Sequence, residues 1–132
     1  MVPYVMKVDE LSVLLIEDEK PWIDRLEIVL DEVGINRFDK ATSEEQATEY
    51  FRNRRYDLVI SDTMHGSNHP MGPNSIREAK KLGHKSVVVA LSSIVENRRL
   101  WEDLADYFFD KGRWYPDFVN GLKTVFQEKF GI

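Results

Sequence analysis

Short apolar runs alternate along this chain with segments in which apolar residues recur every three or four positions. The first run, Leu11 to Ile16, is bracketed by polar residues, as a strand buried on both faces requires. After it Pro21 suits a first helical position, and Trp22, Leu26, Val29, Leu30 and Val33 return at helical spacing until Gly34 ends the segment. Ile35 to Ala41 reads as a weaker strand. Thr42 and Ser43 can cap the next helix, with Glu45 or Gln46 reaching back and Ala47, Tyr50 and Phe51 on its buried side. Leu58-Val59-Ile60 then announces a third strand, which ends at Asp62.

From Thr63 to Asn74 the chain holds two glycines, two prolines and two asparagines without usable periodicity, which predicts a long loop. Ile76, Ala79 and Leu82 predict a short helix closed by Gly83, and Val87 to Leu91 a fourth strand. Ser93 and Glu96 form a capping-box pattern ahead of Leu100, Trp101, Leu104 and Ala105, which share a helix face. Tyr107-Phe108-Phe109 predicts a brief fifth strand. Pro116 opens a last helix whose buried face is Phe118, Leu122, Val125, Phe126 and Phe130. Five strands alternating with five helices predict an α/β fold, with one parallel sheet, right-handed crossovers and helices on both faces.

Length and composition bound this picture without changing it. A chain of 132 residues fits one domain. Hydrophobic residues at 42% and charged residues at 31% argue against disorder, and no run approaches the roughly 18 apolar residues of a membrane span. Met1 to Glu10 carries Pro3, Lys7, Asp9 and Glu10 and lacks the apolar core of a secretion signal, so residues 1–10 read as an N-terminal extension, 11–132 as the domain, and the location as cytoplasmic. Cysteine is absent, which excludes disulfides and thiolate metal sites. The formal net charge of −5 opposes nonspecific attraction to nucleic acid or anionic lipid. Arg52, Arg54 and Arg55 fall at a helix C-terminus, where cations complement the macrodipole.

The candidate chemistry sits at strand ends. In an open parallel sheet all strand C-termini share one edge, so residues remote in sequence converge on one crevice. Here that edge receives Glu17-Asp18, Asp62, Ser92 and Lys111. Taken singly each is an ordinary turn, cap or solvated loop residue. Taken together they are hard to obtain from independent turn preferences. Adjacent carboxylates repel unless a cation compensates, and a hard divalent ion such as magnesium prefers such oxygen ligands. The Asp62 carboxylate is then a nucleophile toward a phosphoryl donor, with Lys111 and Ser92 supplying positive charge and a hydroxyl to the transferred oxygens. Ser93 matches Glu96 as a cap, which leaves Ser92 at the strand tip. His65 and His69 lack a third ligand and read as solvated loop residues.

Over about residues 11 to 130 the chain resembles the response-regulator receiver domain of two-component signalling, of the chemotaxis-regulator kind. The carriers are Leu14-Leu15-Ile16-Glu17-Asp18-Glu19, Asp57-Leu58-Val59-Ile60-Ser61-Asp62, Val88-Val89-Ala90-Leu91-Ser92-Ser93 and Phe108-Phe109-Asp110-Lys111. The resemblance implies a doubly wound, flavodoxin-like three-layer (βα)5 sandwich. It implies that Glu17, Asp18 and the backbone carbonyl of Met64 bind Mg2+ or Mn2+ together with Asp62. Asp62 would accept a phosphoryl group from a sensor histidine kinase or histidine phosphotransfer protein. Ser92 and Phe108 would be the switch residues, and Lys111 would pair with the phosphoryl oxygens. Such a domain is a phosphoacceptor rather than a freestanding enzyme and signals to a protein effector; a homodimer through the last helices is compatible with it.

Three departures stand out. His65-Gly66 occupies the place of the family's Met-Pro, Gly112 that of the proline after the lysine, and Phe108 that of a frequent tyrosine. Glycine fixes the backbone far less than proline, which predicts a looser Lys111 and slower phosphorylation. The competing readings are a receiver-like interaction module that is not phosphorylated and an aspartate-nucleophile phosphatase. The latter typically needs a second aspartate where Met64 stands. Neither GxGxxG nor GxxxxGK[ST] occurs.

Overall fold

The structure is a computed structural model that describes residues 7–63, 72–113 and 116–132. Its five strands are β1 (Val13–Ile16), β2 (Asp39–Ala41), β3 (Leu58–Asp62), β4 (Val87–Ser92) and β5 (Tyr107–Asp110). They form one sheet in the order β2-β1-β3-β4-β5, and every neighbouring pair is parallel. The order reverses between β1 and β3, and their adjacent C-terminal ends open the crevice that the doubly wound topology leaves for chemistry.

The helices are α1 (Lys20–Glu32), α2 (Glu44–Asn53), α3 (Pro73–Lys81) and α4 (Asp117–Val125), the last continuing as π-helix through Phe126–Phe130. Val95–Trp101 is a fourth crossover element, but in 3₁₀ form. The expected α-helical face of Leu100, Trp101, Leu104 and Ala105 is thus cut short. The amides of Leu104 and Ala105 both return to the Trp101 carbonyl at 2.9 Å and close the segment.

Local chemistry sets the ends. Gly34, at φ +98°, terminates α1 with paired bonds from its own amide to Asp31 and from the Ile35 amide to Leu30, at 3.1 and 2.8 Å. Ser43 Oγ accepts the Gln46 amide at 3.1 Å while Gln46 Oε1 accepts the Thr42 amide at 2.8 Å, a reciprocal cap on α2.

Alternation along the strands divides the core into two layers. Val13, Leu15, Leu58, Ile60, Val89 and Leu91 pack against α1 and α4, whereas Leu14, Ile16, Val59, Val88 and Ala90 face α2, α3 and Trp101. Val8, ahead of β1, packs against the first of these clusters.

Gly72, which precedes α3, is held at φ +104° directly behind the third strand. A Cβ there would lie 2.4 Å from Ser61 Oγ and 2.9 Å from the Asp62 carbonyl oxygen. Gly83 shares a positive φ of +84° but faces open space. Gly72→Ala is therefore expected to cost about 1–3 kcal/mol more than Gly83→Ala, the latter carrying backbone strain alone and the former overpacking as well. Urea denaturation of the two variants checks the difference.

Candidate functional site

β1 runs into Glu17 and Asp18 just before the first turn of α1, and β3 ends at Asp62 on the neighbouring strand. Glu17 is held by its amide, which donates to the Ala41 carbonyl of β2 at 3.0 Å. One carboxylate oxygen from each of Glu17, Asp18 and Asp62 lies within 4.8 Å of the others. Glu17 and Asp62 are 1% and 5% exposed, and Asp18 stands at the solvent edge.

Lys111 follows β5 and reaches back across the sheet edge with only 7% of its surface exposed. Its Nζ lies 2.7 Å from Asp62 Oδ1 and 3.3 Å from Glu17 Oε2. Four of the five expected site residues thus come together. Gly112, expected to loosen Lys111, has a hydrogen-bond partner of its own. Lys111–Arg113 forms a 3₁₀ turn, and Asp110 Oδ1 accepts the Gly112 amide at 2.7 Å, a bond that proline could not make.

Among the described residues three carboxylates face one ammonium, so full ionisation would leave two uncompensated negative charges in a largely buried crevice. The strain shows in the proton affinities. Burial, followed by the charge of Asp62 and opposed by Lys111, pushes the Glu17 carboxyl up to about 8. Asp18 is raised chiefly by partial burial as well. An all-oxygen donor set short of two positive charges suits a hard divalent cation, so the residues present fit magnesium. Met64, whose carbonyl was expected to complete the set, lies outside the described residues, as do His65, His69 and the Met64–Met71 part of the predicted loop.

Ser92 ends β4 and is fully buried, one register step beyond the Asp62–Leu91 pair. Its role differs from expectation in one respect. Ser92 Oγ is engaged just ahead of the 3₁₀ segment, accepting the Ile94 amide at 3.0 Å and Asn97 Nδ2 at 2.9 Å, while the segment's N-cap, Ile94, has no side-chain capping bond. Phe108, the expected aromatic switch, is half-buried on β5 with the Arg98 guanidinium 5.1 Å from its ring centroid.

Two further residues shape the site. Thr63 directly follows Asp62; its hydroxyl accepts Trp101 Nε1 at 2.6 Å and donates to the Leu91 carbonyl at 3.1 Å, all buried. This ties the end of β3 to the 3₁₀ segment. Trp22 on α1 lays its ring 4.3 Å from Lys111 Nζ. A threonine at the start of a loop and a tryptophan in a helical stripe carried no separate sequence signal.

No family model matches the chain, and no curated protein matches it in sequence. In three dimensions it has the fold of response-regulator receiver domains. It matches the response regulator TrrA of Thermotoga maritima, solved in complex with Mg2+-BeF, at a TM-score of 0.72 and 24% identity over 86% of this chain and 97% of that one. The receiver domain of a Pseudomonas aeruginosa sensor histidine kinase, solved with a magnesium ion coordinated in its active-site cleft, gives 0.70 and 19% over 92% and 98%. A Francisella response-regulator receiver domain gives 0.72 and 18% over 89% and 98%. At such identities the likeness is one of fold.

Proposed function

We propose that this chain is a phosphoryl-accepting receiver of two-component signalling, with Asp62 as the acceptor. The observation that carries the reading is the convergence of Glu17, Asp18, Asp62 and Lys111 from three strand ends on one crevice. Fold alone hosts many functions, so the weight rests on these side chains.

Magnesium held by Glu17, Asp18 and Asp62 would neutralise the carboxylates and the incoming phosphoryl oxygens. An Asp62 oxygen attacks phosphorus of a phosphohistidine or small phosphodonor; the new O–P bond makes an acyl phosphate, and the electron pair of the broken bond leaves with the donor's nitrogen or oxygen. The Lys111 ammonium, already 2.7 Å from Asp62 Oδ1, is within reach of the phosphoryl oxygens as they gather charge. Little proton transfer is required of the protein.

The phosphoryl group carries about −1.5 to −2 charge where the ionised Asp62 carboxylate carried one negative charge, so the sheet edge becomes more negative. Ser92 and Lys111 are then drawn toward the phosphoryl group. Because Ser92 Oγ also holds the Ile94 amide and Asn97, its displacement pulls on the 3₁₀ segment and on the Arg98–Phe108 stack. That is the route by which protein contacts would change. A sensor histidine kinase or phosphotransfer protein as donor, a protein effector as target and a cytoplasmic location complete the proposal.

The test is intact-mass measurement after incubation with Mg2+ and phosphoramidate. The expected result is the gain of one alkali-labile phosphoryl group by the native chain and none by Asp62→Ala. No uptake at saturating donor would instead favour an interaction module that is not phosphorylated.

A further inference from the structure

Lys111 has three N–H donors, and the carboxylates of Asp62 and Glu17 engage two of them. The Trp22 ring lies against the same ammonium, 4.3 Å from Nζ to the ring centroid, and Arg25 stacks on that indole at 4.7 Å. Trp22 is half-buried in the first turn of α1, which begins just after Glu17-Asp18-Glu19. The turn that presents the acids therefore also brings an aromatic face to the lysine.

We propose that Trp22 is a positioning residue for Lys111, holding its ammonium over the crevice and shielding it from water so that its charge is directed at Asp62 and the transferred phosphoryl group. The inference rests on the phosphoacceptor reading above. A lysine ammonium is a compact, strongly hydrated charge on a flexible stem, and side-chain contacts decide where it resides. The aromatic quadrupole offers attraction without a competing negative charge. A third carboxylate would bind the ammonium too, but it would draw it away from the phosphoryl oxygens. The indole fixes the ammonium and leaves its full charge available.

The experiment has two arms. In the first, NMR of the unphosphorylated native protein should show the Lys111 side-chain protons shifted upfield by the Trp22 ring, and the shift should vanish in Trp22→Leu. In the second, Trp22→Leu should take up phosphoryl groups from phosphoramidate between about two-fold and about thirty-fold more slowly, the range that a cation–π contact spans. Trp22→Phe should recover part of the rate, and Mg2+ affinity should stay within about two-fold of native in both variants, because Trp22 donates no ligand. An absent upfield shift, an unchanged rate in Trp22→Leu, or rate and Mg2+ affinity falling together would overturn the proposal. Failure of the native protein to accept phosphoryl at all would sink the phosphoacceptor reading, while the NMR arm would still decide whether Trp22 holds Lys111.

Discussion

Lys111→Met is expected to destabilise the magnesium-free protein by about 3–5 kcal/mol at neutral pH, the usual cost of removing one partner from a buried ion pair. Methionine preserves length and apolar volume, so the loss is that of the charge. It strips Asp62 of a contact at 2.7 Å in a site where that residue is 5% exposed. Removing both charges should behave differently. Lys111→Met with Asp62→Asn leaves no unpaired ion from the pair, and most of the lost stability is expected to return. Urea denaturation of the two single variants, the double variant and the native chain, all in EDTA, measures the coupling. A loss below about 1 kcal/mol for Lys111→Met would mean that the crevice is wet enough to solvate Asp62 without help.

The same burial explains which features are legible in the sequence. β1, β3 and β4 are covered on both faces, so their sequences are nearly continuous apolar runs and their ends fall where polarity returns. Glu17 and Ser92 are legible for that reason, each being the first polar group past or at a strand tip, while Asp62 and Lys111 come one residue later, after Ser61 and Asp110. β2 was harder. It lies at the sheet edge, and only Asp39–Ala41 of the expected Ile35–Ala41 pairs, with Ile35 spent on closing α1. The 3₁₀ form of Val95–Trp101 was not legible at all. The spacing of Leu100, Trp101, Leu104 and Ala105 fits an α-helix, but Trp101 is pinned to Thr63, a partner 38 residues away. Long-range bonds of this kind leave no local trace.

The partners of Ser92 depend on the sheet register as well: ending β4 opposite Asp110, its hydroxyl accepts the Ile94 amide and Asn97 rather than standing unengaged at the tip. Gly112 finds its partner in the preceding residue but one. The Asp110 carboxylate supplies a restraint that proline would have supplied covalently.

Stability should also depend on pH in a direction set by Glu17. Its carboxyl titrates near 4.5 when unperturbed and is pushed to about 8 in the folded, magnesium-free protein. Between these values the folded chain keeps a proton that the unfolded chain has lost. Stability from this group is therefore fully present below the lower value, falls as pH rises by at most ~1.4 kcal/mol per pH unit, and is gone above the upper one. Asp18, raised in the same direction, steepens the trend. Urea midpoints in EDTA at about pH 5.5 and about pH 8 should show the native protein losing stability that Glu17→Gln retains, since glutamine has no proton to lose. Mg2+ should flatten the slope, because it binds the ionised carboxylates. At one hundred times its dissociation constant it adds about 2.7 kcal/mol, and less of this is realised at the acid end, where protons compete for Glu17. A native slope in EDTA equal to that of Glu17→Gln would show that Glu17 is already ionised in the resting fold. The crevice would then carry its full negative charge before any cation arrives.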